Sequence, residues 1–397
     1  MIDRRSFLAL LGISLIAPII PSFRALGQDF KDRKLIFITL RGGMDGLSAF
    51  PLLGDKNLIK RRPSIWTDGY FETGSEFGIH PALKSFSNMW SEGEATIVHA
   101  VGASQYSGRS HFEGQNILEA GNNIPYAKHT GWLGRALDLA NASYQGTAMD
   151  LPIPLILRGA GNLESRSPSY FPPPSPDLLF ELAKLNQEDP LISDIFFKLA
   201  TRRSNEKSLK REMKLSESKN EWANLGLDVL DLASIAGREL KSRDELKIAV
   251  FDYHGFDTHS AQGAAVGEHA NQLKKLDIIL HTLKRRLRKK WANTLVIAAT
   301  EFGRNVYQNG SNGTDHGYAS SILLAGGLVS QSQVYTDWPG LKRKQLFEGQ
   351  DLNVTTDQNA IFAAAIKTVF GLEYDKILEK VFFNNPYPDL SKKLFKI

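Results

Sequence analysis

Three neighbouring stretches decide the fold: Ile248–Tyr253 (IAVFDY), Leu273–Leu287 (LKKLDIILHTLKRRL) and Thr294–Ala299 (TLVIAA). The outer two are short, nearly continuous apolar runs rich in β-branched residues. Such runs suit strands buried on both faces better than strict alternation would. In the middle stretch, Leu273, Leu276, Leu280, Leu283 and Leu287 recur at alternating spacings of three and four. That spacing predicts a helix with one buried stripe. Strand, helix, strand in this order predicts parallel pairing within a layered α/β fold, with a mostly parallel central sheet between helices. The basic run Lys284–Lys290 falls at the helix end, where cations complement exposed carbonyls and the dipole.

Four more apolar runs extend the pattern outward: Leu35–Leu40, Ala95–Val101, Ile153–Leu157 and Ser321–Ala325. Residues Ser110–Gly121 read as a helix with Ser110 as its cap. Glu113 three positions on completes a capping box. Thr356 or Asp357 caps a second helix that runs through Phe370 and ends at Gly371. Pro168–Pro176 is too proline-rich for helix or sheet. A helical insertion over the sheet is expected near residues 177–240, and it includes the charged stretch Thr201–Trp222. The mature chain, 28–397, is read as a single α/β domain, with no internal repeat at a fixed period.

Composition narrows the function. Of 397 residues, 42% are hydrophobic and 23% charged, which is ordinary globular usage and excludes a disordered or polytopic membrane chain. There is no cysteine, so disulfides, thiolate metal sites and cysteine nucleophiles are excluded. At the N-terminus, Arg4-Arg5 precede a short apolar stretch broken by Pro18 and Pro21, followed by small residues at Ala25 and Gly27. Residues 1–27 therefore read as a cleaved signal peptide of the twin-arginine type. The expected partner is the twin-arginine translocation machinery, and the expected location is the periplasm or another extracytoplasmic space. No stable membrane span is expected in the mature form. Its small net charge gives no support to a nucleic-acid partner.

Polar motifs cluster where the runs end. The first run leads into Arg41-Gly42-Gly43-Met44-Asp45-Gly46, and the Ala95–Val101 run into Gly108-Arg109-Ser110-His111-Phe112. The Ile248–Tyr253 run leads into His254-Gly255-Phe256-Asp257-Thr258-His259, and the Thr294–Ala299 run into Thr300-Glu301-Phe302-Gly303-Arg304. A glycine-rich loop ending Gly313-Thr314-Asp315-His316-Gly317 precedes Ser321. Open parallel sheets bind ligands outside the carboxyl ends of their strands. Asp45, Asp257, Glu301 and Asp315 offer oxygen ligands, and His254, His259 and His316 offer nitrogen. This mixture suits zinc, manganese or iron, whereas an all-oxygen set suits calcium or magnesium. Each residue also has an ordinary use: Asp45 in a turn, Asp257 as a cap, Glu301 as the ion-pair partner of Arg304. Ser110, at a helix N-terminus with Arg109 and His111 beside it, is the candidate nucleophile for a phosphate or sulfate ester. The Walker A loop and His-Glu-x-x-His are absent, and Gly159-Ala160-Gly161 lacks the third glycine of a dinucleotide fingerprint.

Taken together with His80-Pro81-Ala82-Leu83 and Gly131-Trp132-Leu133-Gly134-Arg135, these motifs resemble domain-of-unknown-function family 1501 over almost all of the mature chain. That family's role is not established. Its placement in the alkaline phosphatase and sulfatase superfamily implies an alkaline-phosphatase-like fold. It also implies a hydroxyl nucleophile beside one or two divalent metal ions. Carried over by position, the resemblance makes Asp45, Asp257, His259, Glu301 and His316 metal ligands and puts Ser110 near the nucleophile; Asp315 joins the ligands by residue type, and Arg109 and His111 join Ser110 as catalytic candidates. Phe302 stands where the superfamily has a paired histidine, and the formylglycine motif is missing. The expected function is metal-dependent hydrolysis of a phosphate or sulfate ester of a small molecule or polymer. The alternatives are a non-catalytic binding or envelope-assembly protein on the same scaffold, and a metal-independent serine esterase.

Overall fold

The computed structural model describes residues 30–149, 152–166, 175–213 and 227–397. The twin-arginine segment lies outside the described residues, as do most of the proline-rich stretch and part of the 201–222 stretch. The strands are β1 (Lys34–Leu40), β2 (Phe71–Glu72), β3 (Gly78–Ile79), β4 (Ala95–Gly102), β5 (Gln145–Ala148), β6 (Leu163–Ser165), β7 (Leu246–Tyr253), β8 (Thr294–Ala299), β9 (Ser320–Ala325), β10 (Val334–Tyr335) and β11 (Thr356–Asp357). The main sheet runs β10-β4-β9-β8-β1-β7-β5-β6, and β11 pairs with β4. The central strand β1 is parallel to both β7 and β8. Only β9 runs against its neighbours β4 and β8. The sheet is therefore mixed and mostly parallel, and helices cover both faces.

Burial on both faces accounts for the apolar runs. Leu35 and Phe37 of β1 join one core cluster, with Trp132 and Phe362 from the helices Trp132–Ala140 and Gln358–Phe370. The alternate residues Ile36, Ile38 and Leu40 join the other, with the leucine-striped helix Glu268–Leu287. All five stripe leucines are buried. Each contributes about 1.5–3 kcal/mol relative to exposure, an upper estimate because real unfolded chains already bury some surface. Asp357 caps its helix by accepting from the Asn359 N–H at 2.8 Å, and Gly371 closes that helix at φ 69°.

One expected strand is absent. Within Ile153–Leu157, residues Leu155–Leu157 form a 3-10 turn, not a sheet strand. Pro152 and Pro154 remove two ladder donors and fix φ. The turn packs instead against the helix Trp132–Ala140. A Cβ on Gly131 would sit 2.1 Å from the Leu155 carbonyl, and one on Gly134 2.2 Å from the Arg158 carbonyl. The strands beyond β7 are the short β5 and β6. Helices Pro176–Leu185, Pro190–Met213 and Leu227–Ser242 occupy the region expected to be a helical insertion.

Candidate metal centre

The carboxyl ends of β1, β4, β7 and β8 lie on one edge of the sheet, and antiparallel β9 starts from the same edge. His111 opens the helix His111–Ala120 that follows β4, Asp257 and His259 follow β7, Glu301 follows β8, and Asp315 and His316 precede β9. The loops after β7 and before β9 are joined through their backbones. Thr314 donates to the Thr258 carbonyl at 3.1 Å, Ala261 to Ser311 at 2.9 Å and Gln262 to Asn312 at 2.9 Å. A Cβ on Gly313 would lie 2.3 Å from the His259 carbonyl carbon, so only glycine permits this approach.

Three imidazoles converge on Asp257. His259 Nε2 is 3.0 Å from Asp257 Oδ1, and His316 Nε2 is 3.2 Å from the same oxygen. These two nitrogens are 3.0 Å apart. His111 Nε2 lies 3.4 Å from Asp257 Oδ2, buried and with no hydrogen-bond partner. Every Nδ1 faces an acceptor: Glu301 Oε1 at 2.8 Å for His111, Asp315 Oδ1 at 3.2 Å for His259, and the Arg109 carbonyl at 2.8 Å for His316. For His111 the Glu301 acceptor places the proton on Nδ1 and leaves Nε2 free, whereas in His259 and His316 both ring nitrogens lie within reach of a partner. A cation among these ring nitrogens would relieve their crowding, beside the Arg304 guanidinium that already meets Asp257 Oδ1. Tetrahedral zinc with bonds of about 2.0–2.1 Å holds its ligand atoms about 3.3 Å apart. His111, Asp257 and His316 each offer one ligand atom within 4.8 Å of the others, and the contacts of 3.0–3.4 Å around Asp257 are compatible with that edge. The residues therefore fit a divalent ion, and a set rich in imidazole suits zinc better than calcium or magnesium.

The surroundings set the charges. Buried Arg304 donates to Asp257 Oδ1 at 2.5 Å and to the carbonyls of Gly43 and Thr314 at 2.7 and 2.8 Å. Burial raises the Asp257 pKa, but the Arg304 bond and charge outweigh it and hold the carboxyl below its usual range. Glu301 is similarly held down to about 2. Burial opposes ionisation there, and donation from His111 and from the Gly42 N–H overrides it. The hydrogen bond from Asn309 lowers the Asp315 pKa, with help from His259. His111 is raised, first by its bond to Glu301, and His316 is lowered by burial. Phe302 packs its ring against both His111 and His316, with centroids 4.9 and 4.7 Å away, and forms an apolar wall.

The expected site residues divide into three groups. His111, Asp257, His259 and His316 meet at the centre. Glu301 and Asp315 stand behind it, each holding a histidine; Glu301 pairs with His111, not with Arg304. Asp45, expected among the ligands, is elsewhere. It caps the short helix Gly46–Ala49, and its Oδ2 accepts from Arg62 at 2.6 Å, Ser48 at 2.7 Å and Gln262 at 2.7 Å. Gln262 Oε1 in turn accepts from Thr258 and Thr314 at 3.1 and 2.7 Å, so this buried network supports the two loops from behind. The Arg109 guanidinium pairs with Asp351 at 2.6 Å and Glu348 at 2.7 Å, while its carbonyl orients His316. Ser110 is the N-cap residue by position, but its hydroxyl makes no capping bond. Glu113 accepts from the Tyr106 hydroxyl at 2.6 Å, so the expected capping box does not form. His254, also considered as a nitrogen ligand, lines a neighbouring cavity. Sequence reading missed the Arg304–Asp257 pair and the Arg109–Asp351 pair; neither has a local spacing signal.

Residues 32–382 match the family described as a protein of unknown function, DUF1501. The chain belongs to the DUF1501 family. Solved structures similar to this DUF1501 protein include the C-terminal periplasmic domain of EcEptC from Escherichia coli in complex with Zn. That likeness has TM-score 0.39 and 9% identity, and covers 86% of this chain and 83% of the other. A phosphonate monoester hydrolase of Agrobacterium radiobacter gives TM-score 0.39 and 10% identity over 85% and 73%. The phosphoglycerol transferase GacH of Streptococcus pyogenes gives 0.39 and 10% over 92% and 83%. No curated protein sequence matches. At these scores the chemistry of the DUF1501 chain has to be read from its own residues. Among its described residues, no helix is long and apolar enough to cross a membrane.

Proposed function

We propose that this DUF1501 protein is a metal-dependent hydrolase of phosphate or sulfate esters. One divalent ion, best matched by zinc, would be held by His111, His316 and Asp257, with His259 beside them as a further candidate ligand. The observation that carries the reading is the convergence of three imidazole Nε2 atoms on one carboxylate, with an acceptor facing every Nδ1. A bound divalent ion supplies Lewis acidity toward an ester oxyanion. The chain supplies the rest. Glu301, Asp315 and the Arg109 carbonyl hold the ring orientations, and Arg304 keeps Asp257 ionised. The N-terminus of the ten-residue helix His111–Ala120 favours an anion. Ser110, between Arg109 and His111, offers a hydroxyl free of capping as the nucleophile. We further propose export by the twin-arginine route.

The test is metal content together with turnover. Purified wild type incubated with zinc should hold about one ion per chain and cleave 4-nitrophenyl phosphate or sulfate. His316→Ala should lose both. A wild-type protein that takes up no metal would overturn the reading.

A further inference from the structure

Beside the metal centre, on the His111 side, lies a cavity of about 450 Å³. Its wall meets the centre through Gln115, whose Nε2 is 3.3 Å from Glu301 Oε1, the same oxygen that holds His111. Two aromatic side chains stand in it unusually uncovered: Phe112 at 78% exposure and Tyr126 at 55%. Tyr126 is also held in the left-handed region at φ 59°. That backbone conformation is costly for a bulky residue. It is secured by the Tyr126 N–H donating to Asn116 Oδ1 at 2.7 Å. Exposed apolar area and backbone strain are both placed at one cavity mouth, next to a site that fits a metal.

Charge decides what the cavity accepts. Its cation, Arg41, is already paired with Glu119 at 2.5 Å and Asp252 at 2.7 Å. Two carboxylates to one guanidinium disfavour an anion, and both carboxylates are tied to Arg41, Glu119 also to the Ile156 N–H, so neither is left free to fix a cation. The cavity therefore takes an uncharged group, and the ester's anionic centre stays at the metal. Aromatic faces combined with amides and carboxylate acceptors match a ring that has one C–H face and a rim of hydroxyls.

We propose that this cavity binds the sugar ring of a glycosyl ester, with the ring's apolar face on Phe112 and Tyr126 and its hydroxyls toward Gln115 and the carboxylates. This rests on the metal reading only for the placement of the anionic end. The test is binding of neutral methyl β-D-glucopyranoside and methyl β-D-galactopyranoside, followed by saturation-transfer NMR, with cyclohexanol as control. At least one hexoside should receive saturation at its ring C–H protons and bind more tightly than cyclohexanol. Phe112→Ala and Tyr126→Ala, both at exposed positions, should each weaken it about tenfold. His316→Ala, which loses the metal, should bind it as wild type does. No transfer to either hexoside, equal affinity for cyclohexanol, or indifference to both aromatic substitutions would overturn the proposal. Hexoside binding by a chain that takes up no metal would support the cavity and remove the hydrolase reading. Metal-dependent turnover without hexoside binding would do the reverse.

Discussion

Ser110 is flanked by two residues that touch the centre, yet its own side chain has no structural task at the helix start. An N-cap serine that accepts a backbone bond is worth about 1 kcal/mol. Lacking that bond, Ser110→Ala should cost under about 0.5 kcal/mol, the usual range for surface substitutions. As nucleophile, the same change should lower kcat by several orders of magnitude. Melting temperature and ester turnover, measured side by side, check this; near-wild-type turnover would remove Ser110 from the chemistry. A second expectation concerns acid. Burial pushes His99 down to about 4 and His269 to about 3, from an ordinary value near 6.5. His99 is buried with both nitrogens bonded, while His269 is buried with neither. Unfolded, each takes a proton below pH 6.5; folded, it does so only near pH 4 or 3. The stability present above pH 6.5 is therefore lost as pH falls toward these values, by about 2 kcal/mol per histidine at pH 5. Urea midpoints at pH 7.5 and 5 measure it, and His269→Leu should reduce the difference. The centre itself was partly legible at this scale. Residue chemistry singled out Asp257, His259 and His316 because carboxylate and imidazole sit together beside apolar runs, after one and before another. Asp45 looked equivalent, and nothing near it in sequence announces Arg62, which takes its charge.

Among the elements, β1, β4, β7, β8 and β9 were legible as runs, because strands buried on both faces are mostly apolar, with isolated polar residues such as Thr96 and His99. The segment Leu155–Leu157 has the same composition and is not a strand. What separates it is the flanking prolines and two glycines at the start of the preceding helix, Gly131 and Gly134, which admit the carbonyls of Leu155 and Arg158. Strands β5 and β6 were invisible: at four and three residues they are too short for a pattern to accumulate. The loop pair around Gly313 carries a prediction of its own. Gly313→Ala places a methyl against the His259 backbone at 2.3 Å, and backbone cannot swing aside as a side chain can. The two loops must then part. Zinc affinity should fall at least tenfold while the far-UV spectrum, set by the sheet and helices, stays unchanged. Calorimetric titration with zinc reads the affinity, and wild-type affinity in this variant would show that the loops adapt.

For the molecule as a whole, the centre exists only after the sheet has formed. The Arg109 carbonyl and the His316 ring that it orients are 207 positions apart. On the proposed reading, metal loading would therefore follow folding, which suits a route that carries folded proteins. Replacing Arg4 and Arg5 with lysine should retain the chain in the cytoplasm, as checked by fractionation and immunoblot. Mature protein outside at the normal level would end the twin-arginine reading. The zipped loops also imply a division of labour in how such a centre changes over evolutionary time. His259, Asp257 and His316 ride on one laced unit and cannot be repositioned separately. His111 arrives alone, on the first turn of its own helix. A change in metal preference would be expected to enter through that arm and its prop Glu301, because the laced side can move only as a unit.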